Sequence, residues 1–413
     1  MHFPRRSAEA ELTGGPIRDL ADDCAPGVLG IHGGDLAALR PVVAVAEGQR
    51  VAAGQRLLSD RKRPWITVVA PVSGRVSRLE PGPRRGVSAL EIEPAGDEAA
   101  GFDIPGVPTR EGLIRLMVEA GLWAGMRARP FGRVADPARP PDALFVTAME
   151  STPGAPDASA VIGEFLEWFR LGLAALPVLS DGPVWLCHAP GMAVAEVEGV
   201  TARAFGGPHP AGLAGTHIHR LHPVAHGGMV WQIAWQEVIA LGCLLQTGRI
   251  WQRRVVSVWG PAVASPGLVA APLGARLHDI ARGRLADVPL RLLAGGLDAG
   301  LALPYLRRSV VQVTALPHRD VPRPGPLRRL MAPARPAFIP NAWDEAAAPP
   351  GVLPVALLRA LASGDAGAAR DLGVLGLLEE DLAALNARLG GNRGGTDYTD
   401  LLRQTLNELE ALA

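Results

Sequence analysis

Five of the ten histidines in this chain of 413 residues fall within the segment 209–226. Imidazole nitrogens can bind a metal ion or donate hydrogen bonds to a ligand. If His217 and His219 lie on a strand, their side chains point to the same face and could begin a metal site. No Asp, Glu or Cys lies between Phe205 and Gln236 to complete a ligand set, so we predict no metal here. The five histidines are His209, His217, His219, His222 and His226.

The core of this segment, "GPHPAGLAGTHIH", also has the composition of a well-ordered loop. Pro208 and Pro210 restrict the backbone, whereas Gly212 and Gly215 permit dihedral angles that other residues avoid. In such a loop the histidines would hydrogen-bond exposed peptide groups. The residues alone leave both this structural role and a ligand-binding role open.

The only lysine of the chain, Lys62, lies between two β-rich stretches of similar design. These stretches, "RPVVAVAEGQRVAAGQRLL" and "ITVVAPVSGRVSRLEPG", indicate two strand–turn–strand units. They are similar to the two halves of biotinyl and lipoyl domains, in which the lysine between the halves carries the cofactor. Lys62 lies eight residues before Ala70, which is the lipoyl-type spacing. Because Arg61, Arg63 and Pro64 surround it, we expect Lys62 to be an unmodified turn residue.

Motifs for nucleotides, iron–sulfur clusters and nucleophilic catalysis are weak or missing. No G-x-G-x-x-G follows a predicted strand, and Gly295–Gly300 is a partial match without a following helix to hold a phosphate. The three cysteines are too few for an iron–sulfur cluster, which needs four thiolates. They are Cys24, Cys187 and Cys243, and we predict that Cys187 belongs to the core.

The apolar stretch Met229–Gly248 predicts a strand-like start followed by a buried helix. Its polar residues, including Glu237 and Gln246, would be costly in hydrocarbon, so we predict a soluble domain rather than a membrane span. We place Trp231 and Trp235 on one face of this helix. Such indoles lie more often in a core or a subunit interface than against a cofactor.

The overall composition limits the classes of function. Hydrophobic residues make up 48% of the chain and charged residues 20%, which permits large cores. The net charge is zero, which argues against a nucleic-acid or anionic-membrane binder. Arg127 and Arg129 could hold an anion or a carboxylate of a neighbouring protein, although most such arginines are solvated or paired. Residues 1–15 contain no apolar run, so we expect no signal peptide.

Changes of pattern along the chain predict an α/β multidomain protein. Thr109 caps a first helix, and "DASAVIGEFLEWFRLGLAAL" (157–176) predicts a single second helix. The buried strands "DALFVTAM" and "GPVWLCHA" alternate with helices, which indicates a Rossmann-like α/β domain. Near the end, Tyr398, Leu402, Leu406 and Leu409 share one helix face. The predicted segments are an N-terminal extension (1–24), a biotinyl/lipoyl-like barrel-sandwich domain (25–100), the Rossmann-like domain (101–251), a β-grasp domain (252–320), a Pro/Ala-rich linker (321–352) and a helical domain (353–413).

Six stretches of sequence occur in an order that points to one family. They are "ALRPVVAVAEGQRVAAGQ", "APVSGRV", "AGLWAGMRARPFGRV", "FVTAME", "GGPHPAGLAGTHIH" and "RVVSVWGPAV", of which the fifth is the most specific. From about residue 25 to its end, the chain resembles the A subunit of the sodium-translocating NADH:quinone reductase (Na+-NQR) of bacterial membranes. The resemblance implies that the Rossmann-like domain is related in fold to the flavin subunit of respiratory complex I. It also implies that the β-grasp domain is of the SLBB type.

The resemblance implies a peripheral subunit, without a transmembrane span, on the cytoplasmic side of the bacterial inner membrane. Its six-subunit complex oxidises NADH, reduces ubiquinone and exports sodium. FMN, FAD and 2Fe-2S centres are expected in partner subunits rather than in this chain, and we do not predict catalysis by this chain alone. Histidine N–H groups of the segment 209–226 could donate to quinone carbonyl oxygens. The candidate quinone contacts are His209, Gly212, His217, His219 and Arg129.

Two departures from the family pattern leave an alternative open. "LGGNRGGTDYTD", Leu389 to Asp400, stands where the family has Cys-Pro-Gly-Lys-Tyr-Glu-Tyr-Gly. The segment around "LMAPARPAFIPNA" lacks family residues that project as an extended arm. The alternative is a repurposed paralogue that serves as a docking or assembly module of a different membrane redox complex.

Overall fold

The computed structural model describes most of the chain between residues 17 and 412. The described residues are 17–412 apart from 19, 33–35, 37–38, 84–85, 105, 107, 194–195, 225–226, 319–348, 350 and 389–395. His226, most of the predicted linker and much of the departing stretch from Leu389 therefore lie outside the described residues.

The first domain consists of two small antiparallel sheets with a common core. One sheet has the order β2-β8-β7-β4 and the other the order β3-β5-β6. The glycine turns of the sequence pattern occur at Gly48 (φ 83°) and Gly54 (φ 84°), where a side chain would strain the backbone. Leu57 from one sheet and Leu90 from the other are fully buried together. The strands up to this point are β1 (Leu20–Asp23), β2 (Leu29–His32), β3 (Pro41–Val43), β4 (Arg50–Val51), β5 (Arg56–Asp60), β6 (Thr67–Val69), β7 (Gly74–Gly82) and β8 (Gly86–Pro94).

The second domain is a three-layer α/β unit around a six-stranded sheet of order β10-β9-β14-β11-β12-β13. Strands β14, β11, β12 and β13 are parallel, and β9 runs antiparallel to β14. Helices α1, α2, α3 and α5 cover one face, and α4 covers the other. The elements are α1 (Arg110–Glu119), β9 (Arg127–Arg129), β10 (Arg133–Val134), β11 (Ala143–Ala148), α2 (Ala158–Glu164), α3 (Leu166–Ala175), β12 (Val184–His188), β13 (Val200–Ala204), α4 (Ala214–Leu221), β14 (Val230–Ala234) and α5 (Trp235–Thr247).

Two sequence predictions in this domain need correction. The single helix expected after residue 156 is divided at Phe165, whose backbone leaves helical geometry while its ring packs against Trp168 and Trp251. The two indoles placed on one helix face lie on different elements, since Trp231 belongs to β14 and Trp235 begins α5. Both are buried in the core, as expected, and Trp231 packs edge-on against Trp123.

Helices α3 and α5 cross at two glycines that let their backbones touch. A Cβ added at Gly242 would lie 1.7 Å from the carbonyl oxygen of Trp168, and one at Gly172 would lie 2.1 Å from that of Val238. The sequence pattern does not reveal this contact, because Gly172 and Gly242 are distant in the chain.

We expect Gly242→Ala to lower the free energy of unfolding by about 1–3 kcal/mol, because the added methyl group forces the two helices apart. The matched control is Gly163→Ala in α2, where a Cβ would meet nothing within 4 Å. This control should be neutral or slightly stabilising, because alanine reduces the entropy of the unfolded chain. Urea unfolding of the two variants measures the difference, and equal effects would contradict the close crossing.

The third domain is built on a five-stranded mixed sheet of order β1-β16-β15-β18-β17. Strand β1 pairs in parallel with β16, Leu20 opposite Leu268, and occupies what would otherwise be an open sheet edge. Residues predicted to form an N-terminal extension therefore contribute a strand to this sheet. The further elements are β15 (Arg254–Trp259), β16 (Gly267–Ala271), α6 (Leu277–Ile280), β17 (Leu290–Ala294) and β18 (Gln312–Pro317).

The last domain is a small helical bundle. Tyr398, Leu402, Leu406 and Leu409 are all buried on one face of its final helix, as the spacing predicts. The first helix of the bundle ends at Gly364 in the left-handed conformation (φ 72°). The helices are α7 (Pro354–Ser363), α8 (Ala366–Asp371), α9 (Glu379–Arg388) and α10 (Tyr398–Leu412). In the described part of the chain, no helix has both the length and the apolar character needed to cross a membrane.

Candidate functional site

The parallel sheet of the second domain has a topological switch point between β11 and β14. The chain proceeds from β11 outward to β12 and β13, then returns to the opposite side of β11 as β14. The connections cross on opposite faces, through α2 and α3 on one side and α4 on the other. Ligands of such sheets bind at the carboxyl ends of the strands at this point. Glu150 and Ser151 follow β11 here, and Trp235 follows β14.

The histidine segment is attached to this edge through Ser151. The Ser151 hydroxyl accepts a hydrogen bond from the Gly212 amide at 2.9 Å and lies 3.0 Å from His209 Nδ1. A Cβ at Gly212 would approach the Ser151 nitrogen to 2.7 Å, so the close contact requires glycine. Because its oxygen accepts from Gly212, the Ser151 O–H can donate to His209 Nδ1. The Nε2–H of a neutral His209 then remains available to a ligand.

His217 belongs to the same segment, but its side chain has a structural role. Its side chain is fully buried, packs against Phe205 with 4.2 Å between ring centroids, and places Nε2 2.9 Å from the Ala211 carbonyl oxygen. Burial lowers the pKa of His217 to about 4, so the ring is neutral. Since a carbonyl oxygen only accepts, Nε2 carries the proton and Nδ1 is a bare acceptor. His217 therefore has no N–H left for a quinone carbonyl.

The condition for His217 and His219 to share a face, that they lie on a strand, is not met. Both lie on α4, where residues two apart point in nearly opposite directions, so His217 is buried and His219 is exposed. The ring of His219 lies against Gly351, where a Cβ would come within 2.1 Å of Cε1. Helix α4 is short, and the prolines and glycines around its start hide its helical pattern in the sequence. Packing on the sheet stabilises this helix.

Arg129 is held by partners from two domains. Nη1 donates to Asp381 and to the Gly376 carbonyl oxygen, each at 2.6 Å, while Nη2 donates to Glu380 at 3.1 Å and Nε to Gln232 at 2.9 Å. Burial alone would lower the pKa of Arg129, but the Asp381 and Glu380 carboxylates outweigh it and raise the pKa. The structure thus gives Arg129 the paired role that the sequence left open.

The structure brings three of the five candidate contacts together. His209 and Gly212 contact Ser151, and His217 is bonded to Ala211 next to Gly212. His219 lies against Gly351 at the end of the predicted linker, and Arg129 joins the second domain to α9. No cluster of three His, Cys, Asp or Glu side chains suited to a metal ion occurs among the described residues.

Glu150 is a site residue that the sequence pattern did not single out. Its carboxylate accepts a hydrogen bond from the Trp235 indole at 3.1 Å, directly at the switch point. Burial raises the pKa of Glu150 to about 7, and the indole hydrogen bond offsets only part of this effect. A carboxylate two residues after a nearly all-apolar strand was the available signal.

We expect Glu150→Gln to remove part of the pH dependence of stability. Between the ordinary glutamate pKa of 4.5 and about 7, the folded protein binds more protons at this residue than the unfolded chain does. The stability contributed by neutral Glu150 is therefore present below about pH 4.5 and is lost as the pH rises toward 7. Melting temperatures of both proteins from pH 5 to 8 measure this, and parallel curves would contradict it.

Lys62 is exposed on the connection 61–66 between β5 and β6. The buried Asp60 organises this connection by accepting from the Arg40 amide (3.0 Å), the Lys62 amide (3.2 Å) and Arg63 Nε (2.8 Å). Burial favours a higher pKa for Asp60, but these hydrogen bonds lower it.

The unmodified state of Lys62 stays a prediction. The intact mass of the native protein should show no lipoyl or biotinyl adduct. A mass shift that Lys62→Arg abolishes would contradict this prediction.

Two of the domains described above match domains of the NqrA proteins. Residues 5–95 match the NqrA N-terminal barrel-sandwich hybrid domain, and residues 108–250 match the NqrA second alpha/beta domain. The barrel-sandwich prediction and the second α/β domain are therefore confirmed.

Comparison with whole proteins identifies the family. The chain is 35% identical over 443 residues to the A subunit of the Na(+)-translocating NADH-quinone reductase of Pseudomonas aeruginosa (strain UCBPP-PA14), with 98% of each chain covered. The protein of the same name from Rhodopirellula baltica is 34% identical, with 98% of this chain and 97% of the relative covered. The chain belongs to this family, the A subunits of Na(+)-translocating NADH-quinone reductases. A chain of an NAD+-reducing [NiFe]-hydrogenase is 16% identical with a TM-score of 0.38 over 75% of this chain and 68% of that one, too weak a similarity to support a conclusion.

Proposed function

We propose that this chain is a peripheral subunit of a sodium-translocating NADH:ubiquinone oxidoreductase on the cytoplasmic side of the bacterial inner membrane. The observation that carries the proposal is the match over 98% of its length to relatives named as the A subunit of that enzyme. In this proposal the chain contacts the other subunits, which hold FMN, FAD and 2Fe-2S centres, and does not catalyse electron transfer alone.

The N-terminus of α2 supports the absence of a bound dinucleotide or flavin. In folds of this type a phosphate group binds the free amides at the first helix after the switch strand. Here Asp157 caps α2 by accepting from the amides of Ser159 at 3.0 Å and Ala160 at 3.4 Å. The Asp157 carboxylate therefore occupies these amide donors and would repel a phosphate.

We nevertheless infer that the second domain is related in fold to the complex I flavin subunit. We also infer that the third domain is an SLBB-type β-grasp domain, built from a mixed sheet and the short α6.

We further propose that quinone contacts the chain at His209. The carboxyl edge of the sheet places the His209 ring beside the glycine-rich segment, and the Ser151 contact leaves its Nε2–H able to donate to a quinone carbonyl. Burial lowers the pKa of His209, which keeps the ring neutral. His217 and Gly212 position this ring rather than contact the ligand.

Binding of a labelled quinone analogue to the assembled complex tests this contact. His209→Gln should weaken binding about tenfold, as expected for the loss of one hydrogen bond. The matched control is His278→Gln on α6, an exposed histidine of another domain, which should not change binding. A folded His217→Ala plus His219→Ala double variant removes support from the segment around His209 and should also weaken binding. Unchanged binding by His209→Gln would rule out the contact at His209.

The second candidate is a repurposed paralogue that docks or assembles a different membrane redox complex. The aligned length of 443 residues exceeds the 413 of this chain, so the relatives carry residues that this chain lacks. If the missing residues belong to the extended arm of the family and this arm contacts a partner, their loss would favour association with a different partner.

Isolation of the tagged chain from detergent-solubilised native membranes separates the two candidates. The first predicts co-isolation of the remaining reductase subunits with their flavins, and genes for those five partners beside this one would agree. Co-isolation of unrelated redox proteins would instead establish the second candidate.

A further inference from the structure

A cavity of about 440 Å³ lies where the first, second and third domains meet. Its apolar lining includes partly buried side chains that pack on the barrel-sandwich core, among them Ile31, Leu39 and Val68. Cavities of this size hold small organic ligands. None of the candidate quinone contacts lines it, so it is separate from the site at the carboxyl edge of the sheet.

The charge of the lining is strongly one-sided. Seven arginines line the cavity, and none of its lining residues in the described part of the chain is Asp or Glu. The chain as a whole has 41 basic and 41 acidic residues, so composition does not account for this excess. The arginines are Arg63, Arg127, Arg133, Arg253, Arg254, Arg307 and Arg308.

Carboxylates outside the lining pair with five of these arginines. The pairs are Arg63 with Asp60, Arg133 with Glu410, Arg253 with Asp23, and both Arg254 and Arg308 with Glu237. Because these carboxylates are not lining residues, the described lining of the cavity has no acidic group.

Arg127 differs from these five. Its Nη1 donates to the Gly132 carbonyl oxygen at 3.2 Å, and no carboxylate of the described residues lies at ion-pair distance from it. Desolvation by the surrounding protein lowers the pKa of Arg127. Glu380 and Glu379 act on it from farther away and offset only part of this effect. Its side chain is nevertheless exposed, which is the situation of a charge facing into a cleft. A guanidinium in this position has donors available for an anion.

We propose that this cavity binds an anionic amphiphile, with a phosphate or carboxylate head on Arg127 and an alkyl chain along the barrel-core side chains. A guanidinium matches both heads because its parallel N–H groups can bind two oxygens at once. The apolar wall makes burial of the chain favourable. Binding here is independent of the proposed quinone contact at His209.

Isothermal titration of the full chain with decyl phosphate, below its micelle concentration, tests the site. Two further ligands separate the sources of affinity: inorganic phosphate carries the head alone, and decyl glucoside carries the chain alone. We expect decyl phosphate to bind at least tenfold more tightly than either. Arg127→Gln should weaken decyl phosphate roughly ten- to a hundredfold, as expected for loss of a charged hydrogen-bond donor.

Two more variants keep the result specific. Arg170→Gln removes an exposed arginine on α3, outside the cavity lining, and should leave binding unchanged. Ala124→Leu places a larger side chain in the cavity and should weaken the binding of decyl phosphate and decyl glucoside alike. The melting temperature of this variant should stay near that of the wild type. Equal binding of decyl phosphate by Arg127→Gln and wild type would overturn the proposal, as would inorganic phosphate or decyl glucoside binding as tightly as decyl phosphate.

Discussion

Asp381→Asn should destabilise the docking of the helical domain by about 3 kcal/mol, because buried Arg129 loses its buried partner and keeps only the partly exposed Glu380. The Arg129 and Asp381 side chains are 0% and 1% exposed and meet at 2.6 Å. Asp381 also accepts from the Leu378 amide at 2.8 Å, and its carboxylate lies where a Cβ on Gly215 would be. Loss of its charge therefore weakens the contact of the helical bundle with both the sheet and α4.

Hydrogen exchange of peptides from α9 and α10 measures this effect, because it reports the local free energy of opening. The matched control is Asp371→Asn in the same domain, where the pair with Arg370 is 46% and 73% exposed. Exposed pairs contribute about 0–1 kcal/mol, so this control should barely change exchange. Similar exchange in the two variants would show that Arg129 does not anchor the helical domain.

Glu237→Gln should destabilise the junction of the second and third domains by about 3–5 kcal/mol. Glu237 is 3% exposed and lies between Arg254, 6% exposed, and Arg308, with which it pairs at 2.6 Å. Glutamine keeps the size of the side chain but leaves two guanidinium groups without a counter-charge. Burial alone would raise the pKa of Glu237, but Arg254 and Arg308 lower it below its usual range.

The lowered pKa also predicts a pH dependence. The folded state binds fewer protons at Glu237 than the unfolded chain, so its contribution is complete above the ordinary glutamate pKa and is lost as the pH falls through the lower folded pKa. The free energy of unfolding of wild type in urea should therefore fall on acidification below about pH 4.5, and that of Glu237→Gln should fall less. The control Glu167→Gln, an exposed residue on α3, should behave as wild type. Identical acid profiles of Glu237→Gln and wild type would contradict the ion pair.

Features set by local sequence were predicted from the sequence. Thr109 caps α1 through the Gly112 amide at 3.1 Å, and the spacing of Leu402 and Leu406 gives the buried face of α10. These depend on residues within a few positions of each other, where propensity and periodicity act.

Features set by distant residues were not predicted. Arg129 and Asp381 are 252 positions apart, so nothing near Arg129 shows that it is paired. The raised pKa of Glu150 requires the fold to place Trp235 beside it. The helix containing His217 is short and is stabilised by packing on the sheet, which outweighs the Pro- and Gly-rich local pattern that favoured a loop.

The proposed role of this chain, as a working component of a sodium-translocating NADH:quinone reductase, can be measured directly. The measurement is sodium-dependent NADH:ubiquinone reductase activity in native membranes lacking the chain and then supplied with it. We predict that the activity is lost with the chain and returns with wild type. Full sodium-dependent activity in membranes without the chain would contradict this role.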